Sequence, residues 1–313
     1  MQLRNLIVLI LAWLFMAATC ERPVDLDIEK PKDRIVLSSI FTLGEKVKVE
    51  VSRSKNIFED IPDEDFADAH VSIFQGTELI EELVFVIPPQ EHIRPYFTTT
   101  IFEPQPSITY TIKAEVDGFD PVFAHSFIPI PVPITSFSVT SLEERPATNG
   151  YSILYDYDIF FDFDDPISEE NYYHLNIFQE IIERQITNIG DPGPDTTITK
   201  IWKRANLELD KPGVVSDAIV GGLLFADNPC PEGFDFNLSI EIVPELNQSL
   251  GKAFVEFRTV SKEYYLFYNS FNRRQNQKDG PFTDPITVFN NIENGQGYFA
   301  GYNATQDSVF IEF

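Results

Sequence analysis

Alternation of apolar and polar residues at a period of two dominates this chain. It is clearest from Tyr151 to Asp164, where Tyr151, Ile153, Tyr155, Tyr157, Ile159, Phe161 and Phe163 share one face of an extended segment and Asp156, Asp158, Asp162 and Asp164 share the other. A strand with one buried face has this pattern. Lys46 to Ser52 repeats it, with Val47, Val49 and Val51 between polar neighbours. Further strands are predicted at 70–75, 79–87, 96–102 and 108–116, separated by turn-forming pieces such as Gln75-Gly76-Thr77 and Asp117-Gly118, and later at 236–243, 253–260, 286–289 and 308–313. One segment switches to helical spacing. Tyr264, Tyr265, Tyr268 and Phe271 recur every three or four residues, Ser261 suits the N-cap, Glu263 the first turn, and Arg273 and Arg274 the last. Residues 173–184 fit either a second, shorter helix or an irregular strand.

Between the halves, Ile128-Pro129-Ile130-Pro131-Val132-Pro133 places proline at every second position, removing ladder donors and favouring an extended connector. A boundary near residue 133 follows. The fold class is mainly β, with an N-terminal immunoglobulin-like β-sandwich over 34–133 and a larger, mostly β domain with one or two helices over 134–313. Residues 21–33 are charged, punctuated by proline and too thin in apolar residues for a core, and read as a tether.

The N-terminus sets the compartment. Arg4 precedes an unbroken apolar run from Leu6 to Ala18, which ends at Ala17-Ala18-Thr19-Cys20. As a helix this run reaches about 20 Å, short of a roughly 30 Å hydrocarbon core, so it is read as a secretory signal of residues 1–19 rather than a membrane span. Ala17-Ala18-Thr19-Cys20 is similar to a bacterial lipobox, with Ala17 where Leu is commoner and Thr19 where a smaller residue is commoner. On that reading Cys20 is acylated and 20–33 is a lipidated tether; on the alternative, Cys20 is an ordinary residue near a conventional cleavage point. Two cysteines occur in all. With Cys20 acylated, Cys230 has no disulfide partner, and its Asn228-Pro229-Cys230-Pro231 setting, without a nearby histidine, suits a structural thiol.

Charge narrows the partners. The formal net charge is −26, from 49 Asp and Glu against 23 Lys and Arg. Nucleic acid and anionic bilayer surfaces repel such a chain, leaving neutral or cationic ligands, metal ions and proteins. The 28 Phe and 12 Tyr exclude a disordered acidic tail, because they supply core material. Asp162, Asp164 and Asp165, with Glu170 and Asn171 beyond a proline turn, offer oxygen ligands that calcium would accept, although their spacing fits no EF-hand loop and a solvated strand face accounts for neighbouring aspartates equally. No other cofactor is expected.

The usual catalytic signatures are missing: there is no Gly-x-Ser-x-Gly elbow, Walker loop or His-Glu-x-x-His, and the four histidines are scattered. Gly295-Gln296-Gly297 with Gly301 has the wrong spacing for a dinucleotide loop and is expected to permit turns or bulges among aromatic residues. The chain ends on Phe313 after Val309 and Ile311, like the closing strand of an outer-membrane barrel, but 22 prolines and dense carboxylates argue against a barrel. Asp195-Thr196-Thr197 and Asp307-Ser308-Val309 are similar to short sites at which exported Bacteroidota proteins receive O-glycans, which makes Thr196 and Ser308 candidates.

Several blocks together resemble one family, the Bacteroidota outer-membrane lipoproteins grouped as DUF (domain of unknown function) family 4249. They are Cys20-Glu21 leading to Val24-Asp25-Leu26-Asp27; Val49-Glu50-Val51-Ser52-Arg53-Ser54; Asp164-Asp165-Pro166 followed by Glu169-Glu170-Asn171-Tyr172-Tyr173; Tyr264-Tyr265; and Asp284-Pro285 through Asn291-Ile292-Glu293-Asn294-Gly295 to Phe299-Ala300-Gly301-Tyr302. Gln296 and Tyr298 depart from the family's more frequent Leu and Ile. The resemblance implies a lipid-anchored outer-membrane protein facing the cell exterior, commonly encoded beside a TonB-dependent receptor and without established enzymatic activity. The expected function is thus a non-enzymatic accessory or binding partner of such a receptor in nutrient uptake. Two alternatives stand beside it. One is a carbohydrate-active or calcium-dependent envelope enzyme using Asp158, Asp162 and Glu170; the other is a structural or adhesive envelope module.

Overall fold

The computed structural model describes residues 32–55, 65–90, 92–166, 170–187, 195–216, 221–277 and 286–311. Residues 1–19, Cys20 and most of the tether lie outside them. The first half contributes β1 (Ile35–Thr42), β2 (Lys48–Arg53), β3 (His70–Gln75), β4 (Glu78–Glu82), β5 (Val84–Val86), β6 (Tyr96–Thr98), β7 (Thr109–Glu115) and β8 (Val122–Phe127). The second half contributes β9 (Ile134–Pro146), β10 (Ile153–Phe163), β11 (Tyr172–Thr187), β12 (Asp195–Arg204), β13 (Val215–Ser216), β14 (Leu223–Ala226), β15 (Phe234–Ile242), β16 (Gln248–Val260), helix α1 (Lys262–Gln275) and β17 (Gln296–Phe310).

The protein is mainly β, with several sheets. A 10-stranded sheet, in the order β13-β14-β11-β16-β17-β1-β2-β6-β5 with β12 paired to β11, runs the length of the molecule. A 4-stranded sheet, β4-β3-β7-β8, covers one part of its inner face, and a 3-stranded sheet, β15-β10-β9, covers the other. Two cores fill the gaps. Leu37, Val49 and Val51 meet Val71, Ile73, Ile112 and Ala124 in the first. Tyr157, Ile159, Phe161 and Phe163 meet Tyr173, Leu175, Phe225, Val255 and Phe257 in the second. The strand from 153 to 163 thus buries the face its alternation predicts, and its aspartates point out: Asp156 pairs with Arg145, and Asp158 accepts from Asn237 Nδ2 at 2.8 Å.

Strand β17 joins the two parts. It pairs in parallel with β1 from Val36↔Gln296 to Thr42↔Tyr302 and antiparallel with β16 from Val260↔Tyr302 to Lys252↔Phe310. Ile292 and Phe299 are consequently buried in the core formed by residues 35–128. The glycines around β17 let backbones approach closely. A Cβ on Gly301 would stand 2.2 Å from the Phe127 carbonyl oxygen, and one on Gly297 (φ +116) 2.0 Å from that of Leu37. Asn291 reinforces the joint by exchanging bonds with the Phe299 backbone, N–H to Oδ1 at 3.0 Å and Nδ2 to O at 2.9 Å.

One open alternative is resolved and two segments differ from the sequence expectation. Residues 173–184 lie in β11, whose register with β16 slips between Gln179 and Ile181, the irregular strand of the two alternatives. The predicted strand at 286–289 is irregular, because side chains of the helix take its backbone groups: Gln277 accepts from Ile286 N–H, Arg274 donates to Ile286 C=O and the Ser270 hydroxyl accepts from Phe289 N–H. The C-terminal strand starts at Gln296 rather than near 308, since glycines among its first residues lower β propensity while close backbone contact favours them. Helix α1 forms as expected, with the Ser261 hydroxyl accepting from Tyr264 N–H. Among the described residues no helix is long and apolar enough to cross a membrane.

One carboxylate fastens an edge of the small sheet. Glu81 on β4 accepts from the Thr100 hydroxyl at 2.6 Å and from the backbone N–H of Thr100 at 2.5 Å and Phe102 at 2.8 Å. Burial alone would raise its pKa; the bonds from Thr100, Phe102 and Ile101 outweigh this and hold the carboxyl below its ordinary value. A group with a depressed folded pKa contributes stability above its unfolded value and loses it as pH falls through the folded one. Glu81→Gln should therefore cost about 1 kcal/mol at pH 7, with the difference from wild type in urea denaturation shrinking toward zero in acid.

Candidate functional site

The acidic candidates gather only in part. Asp164, Glu170 and Asn171 line a cleft of ≈690 Å³ between the proline connector and the start of α1, together with Phe127, Pro131, Lys262 and Glu263. Glu170 faces Lys262 at 3.6 Å, and Glu263 accepts from the Ser126 hydroxyl at 3.1 Å. Asp165 turns inward, where it accepts from Asn228 N–H at 2.9 Å and from the Tyr173 hydroxyl. Asn171 is held by its own turn, its N–H donating to Asp227 Oδ1 at 3.0 Å and its amide to Pro166 O at 3.0 Å. Asp162 stays on β10, across from Ser136. Among the described residues no group of three or more His, Cys, Asp or Glu side chains is arranged to hold a metal ion. Of the candidate oxygen ligands, Asp165 bonds to Asn228 and Tyr173, Asp164 and Glu170 line the cleft, and Asp162 stays on the strand. Cys230 is buried and unpaired.

The glycan candidates are both exposed. Thr196 lies on β12 and Ser308 on β17, where it pairs with Phe254.

A different constellation occupies the outer face of the large sheet, opposite the second core. Because β11 is a strand, its even-numbered residues share that face: His174, Asn176, Phe178 and Glu180. The register sets Arg258, Glu256 and Phe254 of β16 beside them, and Arg204 and Trp202 of β12 beside Phe178 and Glu180 on the other flank. Helix α1 covers one end, and the other is open.

Under the helix the contacts form a buried polar chain. His174 Nε2 lies 2.6 Å from Gly221 O. A carbonyl only accepts, so Nε2 carries the proton and Nδ1, 2.8 Å from the Tyr264 hydroxyl, accepts from it. Tyr264 in turn accepts from Arg258 Nη1 at 3.3 Å. Arg258 pairs with Glu256 at 2.7 Å and lies over the Tyr302 ring, 4.5 Å from its centroid. Burial pushes the His174 pKa down to about 4; the Gly221 carbonyl opposes this, and the fields of Arg258 and Arg204 add to it. Asn176 is wholly buried beside this chain, its amide without a hydrogen-bond partner among the described residues.

At the open end Phe178, Trp202, Phe254, Glu256 and Arg258 line a cavity of ≈410 Å³. The Trp202 and Phe254 rings meet edge to face at 5.9 Å. Arg204 lies over Phe178 and Lys252 over Phe310, with cation-to-centroid distances of 5.3 and 4.4 Å. Lys200 pairs with Glu180 at 2.7 Å. Trp202 is 49% and Phe310 61% exposed. The shelf therefore carries Lys200, Arg204, Lys252 and Arg258 against Glu180 and Glu256, a local positive excess on a strongly acidic protein. It also lies far from the start of β1. Val36 is opposite Gln296 and Phe254 opposite Ser308, so at about 3.3 Å per residue β17 carries the shelf on the order of 40 Å from the point where the chain enters β1.

Sequence reasoning missed this shelf. The signal was present in Tyr173-His174-Leu175-Asn176-Ile177, where polar and apolar residues alternate, but it had meaning only once 173–184 was known to be extended.

Fold and shelf together define a mainly β protein with a polar network under its helix and an aromatic, cationic face at one end. Residues 21–308 match the family model described as Domain of unknown function (DUF4249). The chain belongs to that family. A comparison with curated proteins gave no match.

Proposed function

We propose that this protein is a non-enzymatic lipoprotein, anchored through acylated Cys20 to the outer membrane and facing the cell exterior, that binds a membrane partner in nutrient uptake, a TonB-dependent receptor being the partner expected. The supporting observation is the exposed shelf of Trp202, Phe178 and Phe254 edged by Arg204. Aromatic side chains and arginine carry most of the binding energy at protein interfaces. Its distance from the start of β1 suits a module held at one end and recognising at the other. In the cleft holding Asp164 and Glu170, Glu170 faces Lys262 and Glu263 accepts from Ser126.

Fractionation tests the anchor. Wild type is expected in the membrane fraction and Cys20→Ala in the soluble one, because several acyl chains at about 0.8 kcal/mol per buried methylene hold a protein to a bilayer effectively for good. A Cys20→Ala protein that stays membrane-bound would sink the reading. Mild detergent extraction tests the partner: the receptor should co-purify, and repeated recovery of the lipoprotein alone counts against a stable complex.

A further inference from the structure

We propose that β12 is a docking strand, whose outer edge and shelf-facing side chains receive an extended acidic segment of a protein partner by strand addition. This deepens the binding role proposed above and rests on it. Among the described residues β12 pairs with β11 alone, which leaves its other edge with unpaired N–H and C=O groups. Such an edge is a template for another strand. Thr196 to Lys200 are exposed throughout, Ile198 at 58%. On the shelf side, Ile198 and Trp202 alternate with Lys200 and Arg204, so an added strand would meet apolar and cationic positions in turn.

Lysines on an edge strand ordinarily discourage self-pairing, and a second copy of β12 would bring Lys200, Lys203 and Arg204 against their like. An acidic strand reverses the sign. Arg204 has no carboxylate partner among the described residues, where its guanidinium lies over Phe178 and against Gly221. The shelf supplies four cations to two carboxylates, in a chain whose net charge is −26. Acidic side chains on the incoming strand would face Lys200 and Arg204 of β12, and an aromatic or aliphatic side chain would pack on Trp202 at the rim of the cavity.

Trp202 supplies the readout, since the chain's 2 tryptophans are Trp13 and Trp202, and protein processed at Cys20 keeps Trp202 alone. The full processed protein in mild detergent is titrated with a short synthetic peptide in which every second residue is Glu and Val or Phe in turn, with Thr between them, with its Lys-for-Glu counterpart, and with a version carrying proline at the Thr positions. The acidic peptide should move Trp202 emission to shorter wavelength, and the Lys and proline versions should bind at least about tenfold more weakly. Arg204→Glu should weaken the acidic peptide by about tenfold in protein that far-UV circular dichroism shows to be folded. Equal binding of the acidic and basic peptides, tolerance of proline, or a response only to a neutral oligosaccharide would each overturn the proposal. If Arg204→Glu and Trp202→Ala leave receptor co-purification intact, the docking strand is wrong and the binding role stands; if no receptor co-purifies with wild type, the binding role itself is lost.

Discussion

Replacing Phe163 by alanine is expected to cost about 3–5 kcal/mol of stability, among the largest effects of any single truncation in this protein. Phe163 closes the outward end of the alternating strand β10 and is 2% exposed. Its ring meets Phe257 at 4.5 Å, Tyr173 at 4.9 Å and Phe161 at 5.9 Å, and those of Phe225 and Phe234 at 6.2 Å. These partners come from both layers of the second sandwich, so truncation opens a cavity that neither sheet can close alone. Aromatic pairing adds about 0.5–1.5 kcal/mol per well-placed contact beyond area. Phe163→Leu keeps most of the volume and should cost much less, in the range of about 1–2 kcal/mol. Guanidinium denaturation of both variants measures the difference. Equal midpoints for the alanine variant and wild type would mean that this aromatic cluster does not hold the sheets together.

Acidification should destabilise the protein through His174. Its ordinary pKa is 6.5 and its folded value about 4, so the folded state resists protonation across an interval in which the unfolded chain accepts it. Stability therefore falls as pH drops from about 6.5 toward 4 and levels off below that, by an amount on the order of 3 kcal/mol. The cause is local. Imidazolium at this position would be desolvated, would stand near Arg258 and Arg204, and would put a second N–H against the Tyr264 hydroxyl that now donates to Nδ1. His174→Gln keeps a donor and an acceptor but cannot take up the proton. It is expected to lower stability at pH 7, where the His174 bonds are intact, and to flatten the decline between pH 6.5 and 4. Parallel curves for variant and wild type would refute the assignment. Tyr264→Phe gives an independent check, since removing the hydroxyl leaves Nδ1 without its donor and the Arg258 guanidinium without one acceptor.

The quoted family blocks can now be read physically. Asn291 stitches itself to Phe299, Asn290 donates to Gly295 O at 3.2 Å, and Asn294 (φ +61) donates to Pro121 O at 3.1 Å. Asp165 holds the turn before β11. Tyr265 stacks on Tyr172 at 4.8 Å. These residues build joints in the fold, and the shelf lies elsewhere, on β11, β12 and β16.

Local spacing in the sequence was enough to determine that this chain is mainly β and which face of 153–163 is buried, through period two, and where the capped helix after Ser261 begins, through three- and four-residue recurrence, because each depends on neighbours within a few positions. The turn at 164–171 was legible as a cluster of oxygen donors, but not as a structural one, since Asp165 is claimed by Tyr173 and by Asn228, which is distant in sequence. Residues 286–289 have the composition of a strand; only the nearby helix, offering Ser270, Arg274 and Gln277 to their backbone, made them irregular. The parallel pairing of β17 with β1 joins opposite ends of the chain, and no local pattern encodes it. The shelf was decided in the same way. His174, Phe178, Trp202, Phe254 and Arg258 sit on three strands, and strand register, a property of the assembled sheet, is what sets them side by side.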